Sequence, residues 1–293
     1  MSDLTVLKLI EEMSAQLEAA GLTPADGFGQ GTQSAFDEAA WLVLWQLGLP
    51  LDDLDGVAER PVSVEEAAQV GALIAKRIST RRPAAYLTGE AWLQGVPFYV
   101  DERVIIPRSF IAELLADGSI DPWLSDATER VLDLCTGNAS LAVLAAMTYP
   151  DVQIDAADIS PDALAVARIN VDRHQLAGRI SLIASDGLAA CRGPYDLVLC
   201  NPPYVNAGSM AALPAEFRAE PALALTGGED GMDFIRKLLR AAAQHMSENA
   251  VLILEIGNER ENFERAFPNL QPLWFDTSAG ADQVMLITRQ QLA

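Results

Sequence analysis

Strands and helices alternate in RVLDLCTGNASLAVLAAMTYPDVQIDAADISPDALAVARINVDR, which spans residues 130–173. Two short apolar runs, RVLDLC and VQIDAAD, precede segments with helical spacing of apolar residues at 139–149 and 161–174. The alternation continues through the runs RISLIAS, YDLVLC and AVLILEIG, with a further helix over 230–246. This pattern predicts an α/β fold with a doubly wound sheet of parallel strands. PLWFD and QVMLITR near the end predict a closing antiparallel pair.

The first third of the chain is predicted to be helical. It carries an apolar stripe at Leu4, Leu7, Ile10 and Leu17, an amphipathic run from Phe36 to Leu47, and a third helix from Ser63 to Ile78 that opens with a capping box to Glu66. A glycine-rich break, GLTPADGFGQGTQS, separates the first two helices, and AWLQGVPFYV predicts a hairpin around a Gln-Gly turn. We therefore predict a helical domain over 1–82, a hairpin and linker over 83–120, and a sheet domain over 121–293.

Composition excludes several classes of protein. Asp and Glu number 41 against 20 Lys and Arg, a net charge of −21. That charge disfavours nonspecific nucleic-acid binding and anionic membrane surfaces, and it favours a basic partner. We expect no membrane span and no secretory peptide. Three scattered cysteines favour a reducing, cytoplasmic compartment, and no metal site is expected because the two histidines lack ligand spacing.

Ligands of such sheets bind at the carboxyl ends of the strands. The turn from Cys135 to Ala139 resembles a glycine-rich nucleotide loop, although a tight strand-to-helix turn is an equal alternative. A loop for NAD is the second alternative, but the three-glycine spacing of that fingerprint is missing. Asp158, about 20 residues downstream, stands where an acid accepts from ribose hydroxyls. Ser160 before Pro161 already suits the helix N-cap, which favours a ligand role for Asp158.

Two further strand ends carry polar residues. Asp186 follows the third strand and is placed either to meet an adenine amino group or to close a turn. The fourth strand ends in Asn201, Pro202, Pro203 and Tyr204. The two prolines fix the backbone, so that neighbouring carbonyls and the Asn201 oxygen accept hydrogen bonds while Tyr204 offers a flat ring. This arrangement suits a planar substrate with an NH2 group, and a rigid turn is the lesser alternative.

Longer stretches resemble one family. The Asn-Pro-Pro-Tyr motif is similar to that of S-adenosylmethionine-dependent amino methyltransferases. RRPAAYLTGEAWLQGVPFYVDERVIIPRS, DLCTG, DISPDALAVARIN and NPPYVNAGSMAALPAEFRAEPALAL resemble the protein-glutamine methyltransferases. The cysteine of DLCTG and the LPAEFRAEPALAL stretch look most like the branch that modifies the third ribosomal protein of the large subunit. The likeness runs from about residue 60 to the C-terminus.

The resemblance implies a Rossmann-like, seven-stranded methyltransferase sheet with a small N-terminal helical domain and a connecting β-hairpin. It implies methylation of a glutamine amide nitrogen in a basic ribosomal protein, with S-adenosylmethionine as cofactor and the helical domain as the substrate-recognition part. Tyr204, Asn201 and Pro202 would be catalytic. The cofactor-binding residues would be Asp133, Cys135, Thr136, Gly137, Ala139, Asp158, Ile159, Asp186, Gly187 and Asn201. Substrate-binding residues would be Asn201, Pro202, Pro203, Tyr204 and Arg108.

One position departs from the family pattern. The family has T-G-S-G or T-G-T-G where this chain has Thr136, Gly137, Asn138 and Ala139. The Cβ of Ala139 intrudes where the family has none, and a positive φ there would strain the alanine. The substitution is expected to weaken cofactor binding. The alternatives are a release-factor glutamine methyltransferase, a DNA adenine methyltransferase, which the negative charge opposes, and an inactive relative that binds a ribosomal precursor.

Overall fold

The chain forms two compact units. The structure, a computed structural model, describes residues 4–23, 28 and 31–293. One unit comprises Met1–Ala91 together with Leu213–Ala219, and the other comprises Trp92–Ala212 together with Glu220–Ala293. The sequence prediction assigned all of 121–293 to the sheet domain, whereas the segment Leu213–Ala219 belongs to the helical unit.

In its described residues, the helical unit contains the three predicted helices and two short ones. Its helices are α1 (Val6–Ala19), α2 (Ala35–Gln46), α3 (Leu54–Val57), α4 (Val64–Thr80) and α5 (Ala84–Thr88). Side chains of Thr5, Ser34 and Ser63 cap three of them, and the predicted capping box between Ser63 and Glu66 is present. Part of the predicted glycine-rich break, at 24–27 and 29–30, lies outside the described residues. Apolar faces of α1, α2 and α4 pack together as the core of this unit.

A buried ion cluster crosses that core. Arg77 of α4 is fully buried and donates to Glu38 of α2 at 2.7 Å and to Glu216 at 3.1 Å. Burial raises the pKa of Glu38 above its ordinary value, although the Arg77 guanidinium opposes the shift. Glu216 also pairs with Arg81 at 2.7 Å. The segment Leu213–Ala219 is thus attached to α4 by charge-assisted hydrogen bonds.

The predicted hairpin is confirmed. Strands β1 (Glu90–Leu93) and β2 (Val96–Tyr99) pair as a two-stranded sheet. Gln94 and Gly95 between them have φ values of 50° and 73°, as a two-residue turn with both central residues left-handed requires.

The second unit is built on a seven-stranded sheet in the order β5-β4-β3-β6-β7-β9-β8. Its strands are β3 (Arg130–Leu134), β4 (Gln153–Asp158), β5 (Ile180–Ala184), β6 (Tyr195–Cys200), β7 (Met246–Glu255), β8 (Leu273–Thr277) and β9 (Gly280–Thr288). The first five are parallel, and β9 runs antiparallel to both β7 and β8. The predicted sheet, with its closing antiparallel pair, is confirmed.

Helices cover both faces of this sheet. They are α6 (Ile111–Ala116), α7 (Ser140–Thr148), α8 (Pro161–Arg173), α9 (Ala207–Ala212), α10 (Asp233–His245), α11 (Arg260–Ala266) and α12 (Arg289–Leu292), with short 3₁₀ turns at Asp121–Trp123, Phe217–Ala219 and Ala222–Ala224. Alternate residues of each strand enter opposite layers: Val131 packs with α7, whereas Leu132 and Leu134 pack with α10. Burial on both faces explains why these strands are continuous apolar runs in the sequence.

Candidate functional site

The site lies where the strand order reverses, between β3 and β6. Leu134 pairs with Cys200, so the turn after β3 and the motif after β6 leave the sheet side by side. Two adjoining clefts open there and share Ile105, Cys135, Gly137 and Asn201. One continues past Asp158, Ile159, Asp186, Gly187, Phe234 and Pro203, and the other past Pro107, Arg108, Asp133, Thr136 and Asn138.

The turn from β3 into α7 is held by a buried carboxyl group. Asp133 is 1% exposed and accepts from the Thr136 hydroxyl and, at 3.0 Å, from the Ala142 N–H. Burial raises the pKa of Asp133 to about 7. Cys135 and Gly137 have φ values of 62° and 56°, a tight geometry that brings main chain to the edge of the cleft.

Ala139 has a φ of 65°, so the positive φ on which the expected strain depends is present. The side chain is fully buried in the apolar core next to α7, and Ala139 is absent from the described residues that line the two clefts. This packing argues against an intrusion of its Cβ on the cofactor site, and the expected effect on cofactor binding stays a prediction. The methyl group packs into the core instead.

Asp158 is a partly buried carboxylate at the tip of β4. Its two oxygens each accept a backbone N–H at 2.9 Å, from Gly137 and from Ser160. Burial raises its pKa, and these N–H groups oppose the shift. Ser160 caps α8 by accepting from Ala163 at 3.1 Å, as predicted. Asp158 therefore joins the two strand-end turns, with further lone pairs left for a ligand.

The third strand end combines an exposed acid with apolar neighbours. Ser185 makes the side-chain hydrogen bonds of this turn, at 2.7 Å to the Gly187 carbonyl and 2.9 Å from the Ala190 N–H. The turn therefore does not depend on the Asp186 carboxylate, which is exposed at the cleft. Ile159, which is 51% exposed, and Phe234 give the same cleft apolar surfaces.

The residues of the Asn-Pro-Pro-Tyr motif divide between the surface and the interior. Asn201 and Pro203 line the cleft, and Pro202 is buried. Tyr204 is partly buried, with its hydroxyl 3.4 Å from a carboxyl oxygen of Glu255, and burial raises the pKa of the phenol. A Cβ on Gly257 would lie 2.5 Å from the Tyr204 ring, so only glycine allows this approach. Tyr204 is consequently held on one side by main chain.

The two cysteines at this edge are free thiols in contact. The neighbouring Cys200 thiol, followed by burial, raises the pKa of the Cys135 thiol. Their proximity follows from the pairing of Leu134 with Cys200. Cys135 lines both clefts as a small side chain, and Cys200 is buried.

Sequence reasoning missed two acids at this site. Glu255 is 2% exposed and accepts from the Ser109 hydroxyl at 2.6 Å and the Phe110 N–H at 2.9 Å. Glu255 stands at the end of β7, so extending the strand-end rule to the fifth apolar run would have found it. Glu220 carries no local signal, because its partners lie more than 100 positions earlier in the chain.

Glu220 is the ion-pair partner of Arg108, a predicted substrate-binding residue. The two side chains form a bidentate pair at 2.6 and 2.8 Å, and the same carboxylate accepts the Ile106 N–H at 3.0 Å. Arg108 lines the cleft that contains Pro107 and Asp133, and the Glu220 carboxylate already neutralises its charge. Pro221, Leu223 and Ala224, just after Glu220, line the other cleft, the one that contains Asp158.

Comparison with known proteins gives the family. Residues 119–229 match the family model described as "Methyltransferase small domain". The chain is 50% identical over 291 residues to the ribosomal protein uL3 glutamine methyltransferase of Bordetella pertussis, covering 98% of this chain and 96% of that protein. The chain belongs to the family of ribosomal protein uL3 glutamine methyltransferases. The protein of this name from Burkholderia pseudomallei is 47% identical, with 98% and 95% covered.

A solved structure supports the fold. The hMettl16 catalytic domain, in complex with MAT2A 3'UTR hairpin 6, superimposes with a TM-score of 0.51 at 12% identity, covering 77% of this chain and 81% of that one. At that identity the likeness concerns the Rossmann-like methyltransferase fold alone.

As a member of this family, the protein is an S-adenosylmethionine-dependent protein-glutamine methyltransferase. The cleft suits that cofactor. Asp158 offers carboxylate oxygens of the kind that accept from ribose hydroxyls, and Asp186 offers an exposed acceptor. Ile159 and Phe234 offer apolar surface for a purine.

The described part of the chain has neither a membrane-spanning helix nor a metal-binding cluster. Within residues 4–23, 28 and 31–293, no helix is long and apolar enough to cross a bilayer. The same residues contain no group of three or more His, Cys, Asp or Glu side chains arranged to hold a metal ion.

Proposed function

We propose that this chain methylates the side-chain amide nitrogen of a glutamine in ribosomal protein uL3, in the cytoplasm. The observation that carries the proposal is the 50% identity, over 98% of the chain, to the Bordetella pertussis enzyme of that name. The site agrees with it, since a motif suited to a planar amide adjoins a cleft suited to a nucleoside.

The cofactor would be held along the carboxyl ends of β3, β4 and β5. S-adenosylmethionine supplies, when bound, a methyl group on a positively charged sulfur. Asp133, Thr136 and Gly137 would line its methionine end, with Cys135 beside them, and Asp158 would accept from the ribose hydroxyls. Ile159, Asp186 and Gly187 would surround the adenine. The buried Asp133 acts mainly through the turn that it holds together.

The acceptor amide would be held by the motif after β6. The Asn201 side-chain oxygen and the Pro202 carbonyl accept its two N–H groups, and Pro203 and Tyr204 bound its plane. An amide nitrogen is a poor nucleophile because its lone pair is delocalised, so acceptors that favour a tetrahedral nitrogen lower the barrier. The residues contribute positioning and exclusion of water, and no general base is needed before attack.

Charge supports a basic protein as the acceptor. The net charge of −21 attracts a cationic partner over distances set by the salt concentration. We assign acceptor recognition to the helical domain over 1–82, a connecting role to 83–120, and cofactor binding to 121–293. Arg108, which Glu220 already pairs, would shape the entrance through its position rather than through a free charge.

The test is methyl transfer from labelled S-adenosylmethionine to purified uL3 and, in parallel, to a purified peptide-release factor. We expect label in uL3, on one glutamine when the product is mapped by mass spectrometry. Preferential labelling of the release factor would overturn the assignment of the acceptor.

Asn201→Ala tests the amide clamp, and Asn249→Ala is its matched control. Asn249 is an exposed residue of β7 and should leave turnover unchanged. Asn201→Ala should lower kcat by about 100-fold or more, as for loss of a transition-state hydrogen-bond partner. Calorimetry should show S-adenosylmethionine affinity within about threefold of wild type. Near-normal turnover by Asn201→Ala would rule out the amide clamp.

A further inference from the structure

Glu255 is a buried acid to which the proposed reaction assigns no role. It ends β7 at the edge of the sheet where Asn201 follows β6, because Leu254 pairs with Cys200. Its exposure is 2%, and burial raises the pKa of its carboxyl group to about 7. Burying an acid is costly unless hydrogen bonds compensate it, so its place at the site calls for a physical reason.

The Glu255 carboxyl group joins two parts of the site. One oxygen accepts from the Ser109 hydroxyl at 2.6 Å and from the Phe110 N–H at 2.9 Å, at the end of the segment that carries Pro107 and Arg108. The other oxygen lies 3.4 Å from the Tyr204 hydroxyl. A single side chain thus contacts both the wall of one cleft and the last residue of the amide-binding motif.

Tyr204 has little freedom around this contact. Added Cβ atoms would lie 2.6 Å from its main chain at Gly227, 2.3 Å from its carbonyl oxygen at Gly231, and 2.5 Å from its ring at Gly257. Close packing of the backbone and one side of the ring leaves the hydroxyl as the group whose partner sets the ring orientation. That partner is Glu255.

We propose that Glu255 is a positioning residue for methyl transfer: it orients Tyr204 relative to the 107–110 segment and so sets the geometry of the acceptor amide. This inference rests on the proposed function, because it assigns Tyr204 to the acceptor. Glu255 acts through Tyr204 and Ser109, and the Ser109 and Phe110 donors hold its carboxyl group in place.

The experiment compares Glu255→Gln, Glu255→Ala, Tyr204→Phe and the double variant Tyr204→Phe/Glu255→Gln. Glu248→Gln is the matched control, since Glu248 is an exposed glutamate on the same strand. The measurements are kcat and KM for uL3 and, separately, the calorimetric Kd of S-adenosylmethionine.

We expect Glu255→Ala to lower kcat by about tenfold or more with cofactor Kd within about threefold, and Glu255→Gln to recover part of that loss. Glutamine keeps an acceptor for Ser109 and Phe110, whereas alanine keeps none. The double variant should be no slower than the slower single variant, because both changes break one contact.

Three results would overturn the proposal. They are a kcat within twofold of wild type for Glu255→Ala, multiplicative effects in the double variant, and loss of cofactor binding in Glu255→Gln, which would indicate a role in folding alone. If Glu255→Ala does not fold, the glutamine and phenylalanine variants still decide the question. If the wild-type protein does not methylate uL3, the proposed function is refuted instead. The Glu255 and Tyr204 variants would then be compared on whichever acceptor the wild-type protein does methylate.

Discussion

Replacing Ala139 by glycine separates backbone strain from interference with the cofactor. Ala139 has a φ of 65° and is fully buried in the core. An alanine in the left-handed region costs about 1–2 kcal/mol, which glycine would relieve. Against this, glycine loses a buried methyl group, about 0.8 kcal/mol, and adds about 0.4–1 kcal/mol of unfolded-state entropy. The terms nearly cancel, so we expect Ala139→Gly to change the free energy of unfolding by less than about 1 kcal/mol.

The control is Ala145→Gly in α7, because Ala145 is also fully buried. That variant also loses a buried methyl group and raises the conformational entropy of the unfolded chain, but it relieves no left-handed strain. It should therefore be less stable than wild type by about 1–2 kcal/mol or more. The assay is urea unfolding of both variants followed by circular dichroism, with the S-adenosylmethionine Kd measured by calorimetry.

The same variant tests where the alanine methyl points. Since Ala139 packs in the core, Ala139→Gly should leave the cofactor Kd within about twofold of wild type. Cofactor binding that tightens more than about fivefold would show that the methyl group obstructs the site after all. Destabilisation equal to that of Ala145→Gly would show that Ala139 carries no strain.

Three other perturbations have definite expected outcomes. Gly257→Ala places a Cβ 2.5 Å from the Tyr204 ring, so kcat for methyl transfer should fall by about tenfold or more while calorimetry shows cofactor binding retained; normal turnover would mean that the ring can move freely. Arg77→Met leaves Glu38 buried without its cation and should lower the free energy of unfolding, measured in urea, by about 3 kcal/mol. That loss should shrink at lower pH, where the carboxyl group takes up a proton, and a pH-independent loss would contradict the electrostatic reason. The pKa of Glu255 is about 7 in the folded protein, above its ordinary value of 4.5, so its stabilising contribution is full below pH 4.5 and is lost as pH rises through 7. Unfolding free energy should therefore fall by about 1 kcal/mol from pH 6 to pH 8, and Glu255→Gln should remove that part of the slope.

Most of the sheet unit is predictable from local patterns. Apolar runs and helical spacing locate all seven strands, and the closing antiparallel pair follows from the two short runs near the C-terminus. Shorter elements such as α6, α9 and α11 went unpredicted, because six or seven residues hold too little periodicity to mark a helix. Packing against neighbours, rather than local preference, stabilises helices of that length.

Much of the site is also predictable, since the strand-end rule brings together Asp158, Asp186 and Asn201 at one cleft. The contribution of Tyr204 is less visible in the sequence. Its surroundings depend on glycines at 227, 231 and 257, which only the folded chain brings against this one tyrosine. Nothing in the sequence around each glycine marks that contact. Close approach between distant segments has no local signature.

The sequence by itself determined the fold class, the family and the strand ends that carry the chemistry, because periodicity and short motifs are properties of neighbouring residues. Only the tertiary structure decided that the Ala139 methyl enters the core, that Glu220 neutralises Arg108, and that Glu255 meets Tyr204. Each of these depends on which segments pack together, and pairings of groups 50 to 115 positions apart are set by the whole fold.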